Sequence, residues 1–160
     1  MKILLLNDEF YTTGASTAML RLAERLVQNH EVSVLPRIDG QGEVRKQFEA
    51  MGVPIVKDLA GDPDVIVSNC ILSGALVGEM APRCPVIWWI HEAEIGRDLL
   101  LRYPNMAQGF KSASHIVFQT EFQRLVYGSF LFDSPAMVHV LPFWNDCLLY
   151  TSPSPRDLST

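Results

Sequence analysis

Short apolar runs alternate along this chain with segments of helical period. KILLLN at Lys2–Asn7 is almost wholly apolar and flanked by polar residues. A run so short without a polar face predicts a strand buried on both sides of a parallel sheet. Further runs at 31–35, 53–56, 65–68, 86–90, 115–119 and 138–141 predict more strands. Between the first two, Ala18, Met19, Leu22, Ala23, Leu26 and Val27 fall on one helical face, with Ser16 or Thr17 as cap and Asn29 as stop. Helices are also predicted over 43–51, stopped by Gly52, over 72–80, and around 97–103 within a mixed stretch at 92–114. Another follows Thr120, where Thr120 and Gln123 form a capping-box pattern. Repeated strand–helix–strand units turn right-handed, so the chain is predicted to be α/β with a doubly wound parallel sheet.

Composition narrows the function. A length of 160 residues suits one domain with a real core. The formal charge of -5 argues against nucleic acid as the main partner, because phosphate backbones need a basic surface. No apolar run reaches the roughly 18 residues that cross a bilayer, which leaves at most peripheral membrane contact. The start, MKILLLNDEF, has one Lys and then acidic residues, so no secretory leader is expected. Cys70, Cys84 and Cys147 lack metal-ligand spacing. They point to a reducing, cytoplasmic setting without disulfides, with Cys70 and Cys84 as small buried apolar residues.

The character of the chain changes after Asp146. Residues 147–157 read CLLYTSPSPRD, rich in Ser and Pro and without strand or helix period. This string resembles the in-frame translation of a sequencing-library adapter, a contaminant of assembled environmental sequence. The expectation is therefore a Rossmann-type domain over 1–146 and a disordered, adapter-derived tail over 147–160, with the natural reading frame truncated.

In a doubly wound sheet, ligands bind at the carboxyl ends of the strands. Gly14-Ala15-Ser16 stands before the first predicted helix, where free amides and small side chains suit a phosphate or diphosphate. The same turn also serves simply to enter a helix. One glycine stands where the dinucleotide fingerprint needs three, so NAD or FAD is not expected as a cofactor. His91-Glu92 follows the run VIWWI directly. A His at that point sits at the cleft mouth, where near neutral pH it can donate or accept a hydrogen bond or carry charge; the alternative is a His that caps the next segment. Glu92 and Glu94 also suit a following helix start. HEAE is not the HExxH pattern, so no metal is predicted. Asp8-Glu9 resembles the first-strand acids of receiver domains, but the other positions of that pattern fit poorly, and a solvated loop edge is the plainer reading. Trp88 and Trp89 alternate across the sheet and are expected in the core, with sugar stacking as the lesser alternative.

Taken in order, these strand ends resemble the amino-terminal domain of glycosyltransferase family 4, retaining enzymes of the GT-B arrangement with two facing Rossmann-like domains. KILLLNDEFYTTGAS with LRLAERL resembles the family's first strand and glycine loop. NHEVSVL is similar to its second strand, with Asn29 in place of the usual glycine. DVIVSN resembles a strand that often ends in His, here Asn69, and PVIWWIHEAE the strand ending in the cleft His, here His91. SHIVFQTEF and VHVLPF fall where that domain's last strands lie. The departures are Ala15, where the family often has a second glycine, and Asn69. Ala15 narrows the room for a diphosphate, and Asn69 removes one acceptor contact.

The resemblance implies a catalytic role for His91 and substrate contacts from Gly14, Ala15, Ser16, Asn69 and Glu92. It implies a nucleotide-sugar as co-substrate, an unknown acceptor and no further cofactor. In the family the second domain binds the donor and neutralises the leaving diphosphate, which is commonly the largest catalytic effect. The chain by itself is therefore expected to be inactive. The alternatives are a non-catalytic flavodoxin-like binding or regulatory module ending near residue 146, and another GT-B nucleotide-sugar enzyme such as an epimerase.

Overall fold

The computed structural model describes residues 1–59 and 61–142. The predicted tail, and the end of the predicted domain from residue 143, lie outside them. Six parallel strands form one sheet in the order β2-β1-β3-β4-β5-β6. They are β1 (Lys2–Asn7), β2 (Glu31–Pro36), β3 (Val65–Asn69), β4 (Val86–Trp89), β5 (His115–Phe118) and β6 (Met137–Val140). The α/β doubly wound architecture read from the sequence is the one observed.

Two hydrophobic clusters sandwich the sheet. The pleat sends Leu4 and Leu6 of β1 to one face and Ile3 and Leu5 to the other. On the first face they join Ile66, Trp88, Ile116 and Phe118 under α3 (Gly74–Met80) and α5 (Gln108–Ser112). On the second they meet Met19, Leu20 and Ala23 of α1 (Gly14–Leu26) and Phe48 of α2 (Glu43–Ala50). Central strands buried on both faces need the continuous apolar runs seen in the sequence. The first face is completed by α4 (Glu94–Arg102), α6 (Glu121–Val126) and α7 (Gly128–Leu131), with Leu100, Tyr127 and Phe130 packed into it. None of the helices among the described residues is long and apolar enough to cross a membrane.

Several local expectations are corrected. The run at 53–56 is no sheet strand: it touches β2 through one bridge, Val34 to Ile55. Val34 N donates to Pro54 O at 2.9 Å and Val56 N to Val34 O at 2.8 Å. Pro54 has no N–H to extend the ladder. Helix α1 is capped by Thr13, whose extended backbone presents its hydroxyl to Ser16 N at 3.2 Å, so neither Ser16 nor Thr17 is the cap. Helix α4 starts at Glu94, ahead of the expected 97. The capping box at Thr120 is half made. Thr120 Oγ1 accepts from Gln123 N at 3.1 Å, but the Gln123 side chain turns elsewhere. Trp88 is fully buried as expected, whereas Trp89 is only half-buried. Cys70 is buried and Cys84 half-buried, and both are free thiols.

Candidate functional site

The chain leaves β1 toward β2 on one side, while β3 pairs with β1 on the other. In doubly wound sheets such a divergence places ligands at the carboxyl ends of the strands, here those of β1 and β3. The loop after β1 is held from below. Asn69, at the end of β3, is fully buried: its Nδ2 donates to Asn7 Oδ1 at 2.9 Å, and its Oδ1 accepts from Asp8 N at 3.0 Å. Asn7 Nδ2 in turn donates to Glu9 O at 2.6 Å. Asp8 forms a half-buried ion pair with Arg37 beyond β2, so it is no free loop edge.

Above this base stands the start of α1. Ser16 is fully buried and donates its hydroxyl to Glu9 O at 2.8 Å. Gly14 lies open: a Cβ built there meets no atom within 4 Å. Ala15 is half-buried beside it. The expected trio therefore divides, with Ser16 bracing the loop and Gly14 facing the open side. Asn69 likewise spends its amide on the fold.

The loop after β3 is strained. Cys70 adopts φ 58° and ψ 159°, a region otherwise reserved for glycine, at a cost of roughly 1–3 kcal/mol. Three contacts hold it. Cys70 N donates to Trp89 O at 3.0 Å. Cys70 O accepts from Trp88 Nε1 at 2.8 Å and from Ser73 Oγ at 2.8 Å. Burial pushes the Cys70 thiol far up, so it stays protonated.

His91 lies just past β4. Gln119 Nε2, at the end of β5, donates to His91 Nδ1 at 2.7 Å. An imidazole accepting at Nδ1 carries its proton on Nε2. His91 Nε2 is buried and makes no hydrogen bond. Burial holds the ring down to about 4, so it is neutral at pH 7 and presents one unmet N–H. The backbone around it is fixed by Gln123, whose Nε2 donates to His91 O at 2.7 Å and to Glu92 O at 3.1 Å. Gln119 N donates to Gln123 Oε1 at 2.7 Å. The Gln123 side chain that abandoned the capping box thus anchors the His91 segment to α6.

Glu92 Oε2 accepts from Ile71 N at 2.9 Å and from His91 N at 3.2 Å, tying the β3 loop to the β4 loop. Burial raises its carboxyl, and these backbone N–H groups pull it partly back. Sequence reasoning pointed to His91, Glu92 and Gly14, and it ended a predicted strand at residue 119. It missed the pairing of Gln119 with His91 and the anchoring role of Gln123. The signal available for them was only their place after a strand.

No protein-family model and no curated protein matches the chain. Solved structures do. The chain is similar to Anabaena Alr3699/HepE in complex with UDP and glucose, at TM-score 0.69 and 18% identity over 98% of this chain and 48% of that one. The same protein in complex with UDP-glucose gives TM-score 0.69 and 18% identity, over 98% of this chain and 47% of that one. The likeness is one of fold, and the chain spans about half the length of the structures it matches.

Proposed function

We propose that this chain is the amino-terminal, acceptor-side domain of a retaining GT-B glycosyltransferase that uses a nucleotide-sugar donor in the cytoplasm. The observation that carries the reading is His91: a neutral imidazole at the cleft edge, oriented by Gln119, with its Nε2–H unmet. A neutral donor fixed before ligand arrives can hold a sugar hydroxyl or steady charge that develops at the reacting centre. The open start of α1 at Gly14 offers amides to a diphosphate. The shared fold with a protein solved with UDP and glucose, and with UDP-glucose, supports the same ligand class here.

On this reading a second Rossmann-like domain, encoded past codon 146, carries the basic residues and paired glutamates for the donor. The 160-residue chain alone then transfers no sugar at an enzyme's rate. Losing charge stabilisation on a diphosphate is worth several kcal/mol, on the order of a thousandfold or more. Two measurements test the reading. Sequencing the locus past codon 146 from an independent library is expected to reveal that second domain, and a stop codon there would favour the binding-module alternative. Assaying the uninterrupted gene product with UDP-glucose, with and without His91→Ala, is expected to show transfer or slow hydrolysis that the variant loses by 100-fold or more. Equal turnover in both proteins would reject His91 as the key residue.

A further inference from the structure

We propose that the indole N–H of Trp89 is a second ligand-binding donor, acting beside His91 on a sugar hydroxyl oxygen. This rests on the function proposed above and adds a residue that sequence reasoning placed in the core. The two adjacent tryptophans behave differently. Trp88 is fully buried, and its Nε1 donates to Cys70 O at 2.8 Å. Trp89 is half-buried, yet its Nε1 is covered and makes no hydrogen bond. Its ring lies 4.5 Å from that of His91, tilted by 42°. Residues 89 and 91 are two apart at a strand end, which places them on one side of the sheet.

Buried donors without partners are rare, because each forfeits the hydrogen bond that water would supply. Among the described residues only three buried side-chain N or O atoms are unmet, and Trp89 Nε1 and His91 Nε2 are two of them. Two such donors on neighbouring rings at the carboxyl edge match a site built for an acceptor oxygen. The charge of the site selects the kind of oxygen. An indole is neutral, and burial keeps His91 neutral as well. The carboxyl group of Glu92 follows directly in the chain and disfavours an added anion. Neutral donors beside an acid suit a hydroxyl oxygen and recognise phosphate poorly, since phosphate binding calls for charge-assisted bonds.

The test is nitrogen-15 NMR of the unaltered 160-residue chain, titrated separately with glucose, UDP and UDP-glucose. Trp88, Trp89 and Trp144 give three indole signals, assigned through their backbone resonances. Glucose and UDP-glucose are expected to move the Trp89 indole signal saturably while that of Trp88 stays in place. Trp89→Phe, which keeps a ring and removes the N–H, is expected to weaken glucose binding about 3- to 10-fold, the worth of one neutral hydrogen bond. A Trp89 signal that stays still while Gly14 and His91 respond would overturn the inference and leave the proposed function standing. Movement with UDP but none with glucose would overturn the hydroxyl assignment in favour of a phosphate contact. No response anywhere in the chain would overturn the inference, while the proposed function, which places the donor residues on a second domain, would stand.

Discussion

Gln119 Nε2 donates to His91 Nδ1 at 2.7 Å, joining the ends of β5 and β4 across 28 positions of sequence. The contact selects the tautomer and leaves the buried Nε2–H without a partner. It predicts an acid-sensitive fold. His91 is depressed to about 4 in the folded chain, against an ordinary value of 6.5. The unfolded chain therefore binds the extra proton first, and stability falls as pH drops from about 6.5 toward 4. The full shift corresponds to at most roughly 3 kcal/mol, and solvent screening of a half-buried ring reduces it. Urea unfolding of wild type and His91→Gln across that range is expected to show a shallower pH slope in the variant. Parallel slopes would remove His91 as the source.

Gly14 separates folding from binding. Its position is open, so Gly14→Ala is expected to leave folding stability unchanged or raise it slightly, by at most about 1 kcal/mol of helix propensity. The methyl group would still project into the ground assigned to a diphosphate. UDP-glucose binding by the uninterrupted gene product, followed by calorimetry, is expected to weaken severalfold. Unchanged affinity would move the diphosphate away from α1.

Asn69 is expected to act through the fold. Asn69→Ala strands the fully buried Asn7 Oδ1 and takes the acceptor from the N–H of half-buried Asp8. Denaturant unfolding is expected to show a loss of about 2 kcal/mol. Asn69→Asp keeps the acceptor for Asp8 N and removes the donor, so an intermediate or larger loss is expected, growing as the acid ionises. A fully stable Asn69→Ala protein would contradict the bridging role.

Gly96 and Tyr127 are predicted to be coupled. A Cβ at residue 96 would lie 1.9 Å from the Tyr127 hydroxyl oxygen. That hydroxyl donates to Glu92 O at 3.1 Å or Ala93 O at 3.2 Å and so helps to place the His91 loop. Gly96→Ala is expected to cost about 1–3 kcal/mol through overpacking. The cost should shrink in a Tyr127→Phe background, where the nearest blocking atom is gone and Glu92 Cβ remains. A double-mutant cycle with no interaction energy would refute the clash.

Part of this protein was legible in its sequence because burial writes a period into the chain. The runs at Lys2–Asn7 and its successors are apolar on both faces, and a parallel sheet follows from that alone. His91 could be located because a polar residue after such a run must sit at a strand's end. The same local logic failed wherever a partner lies far along the chain. Nothing near Thr120 shows that Gln123 will forsake its cap for the His91 carbonyl, or that Asn69 will spend its amide on Asn7 and Asp8. Those choices depend on which strand ends the packed sheet brings together, and on which polar groups it then leaves dry. Only the tertiary structure shows that Trp88 is satisfied by Cys70 O while Trp89 keeps an unmet N–H beside His91. Periodicity fixes which residues are buried, whereas hydrogen-bond partnership is settled by three-dimensional proximity.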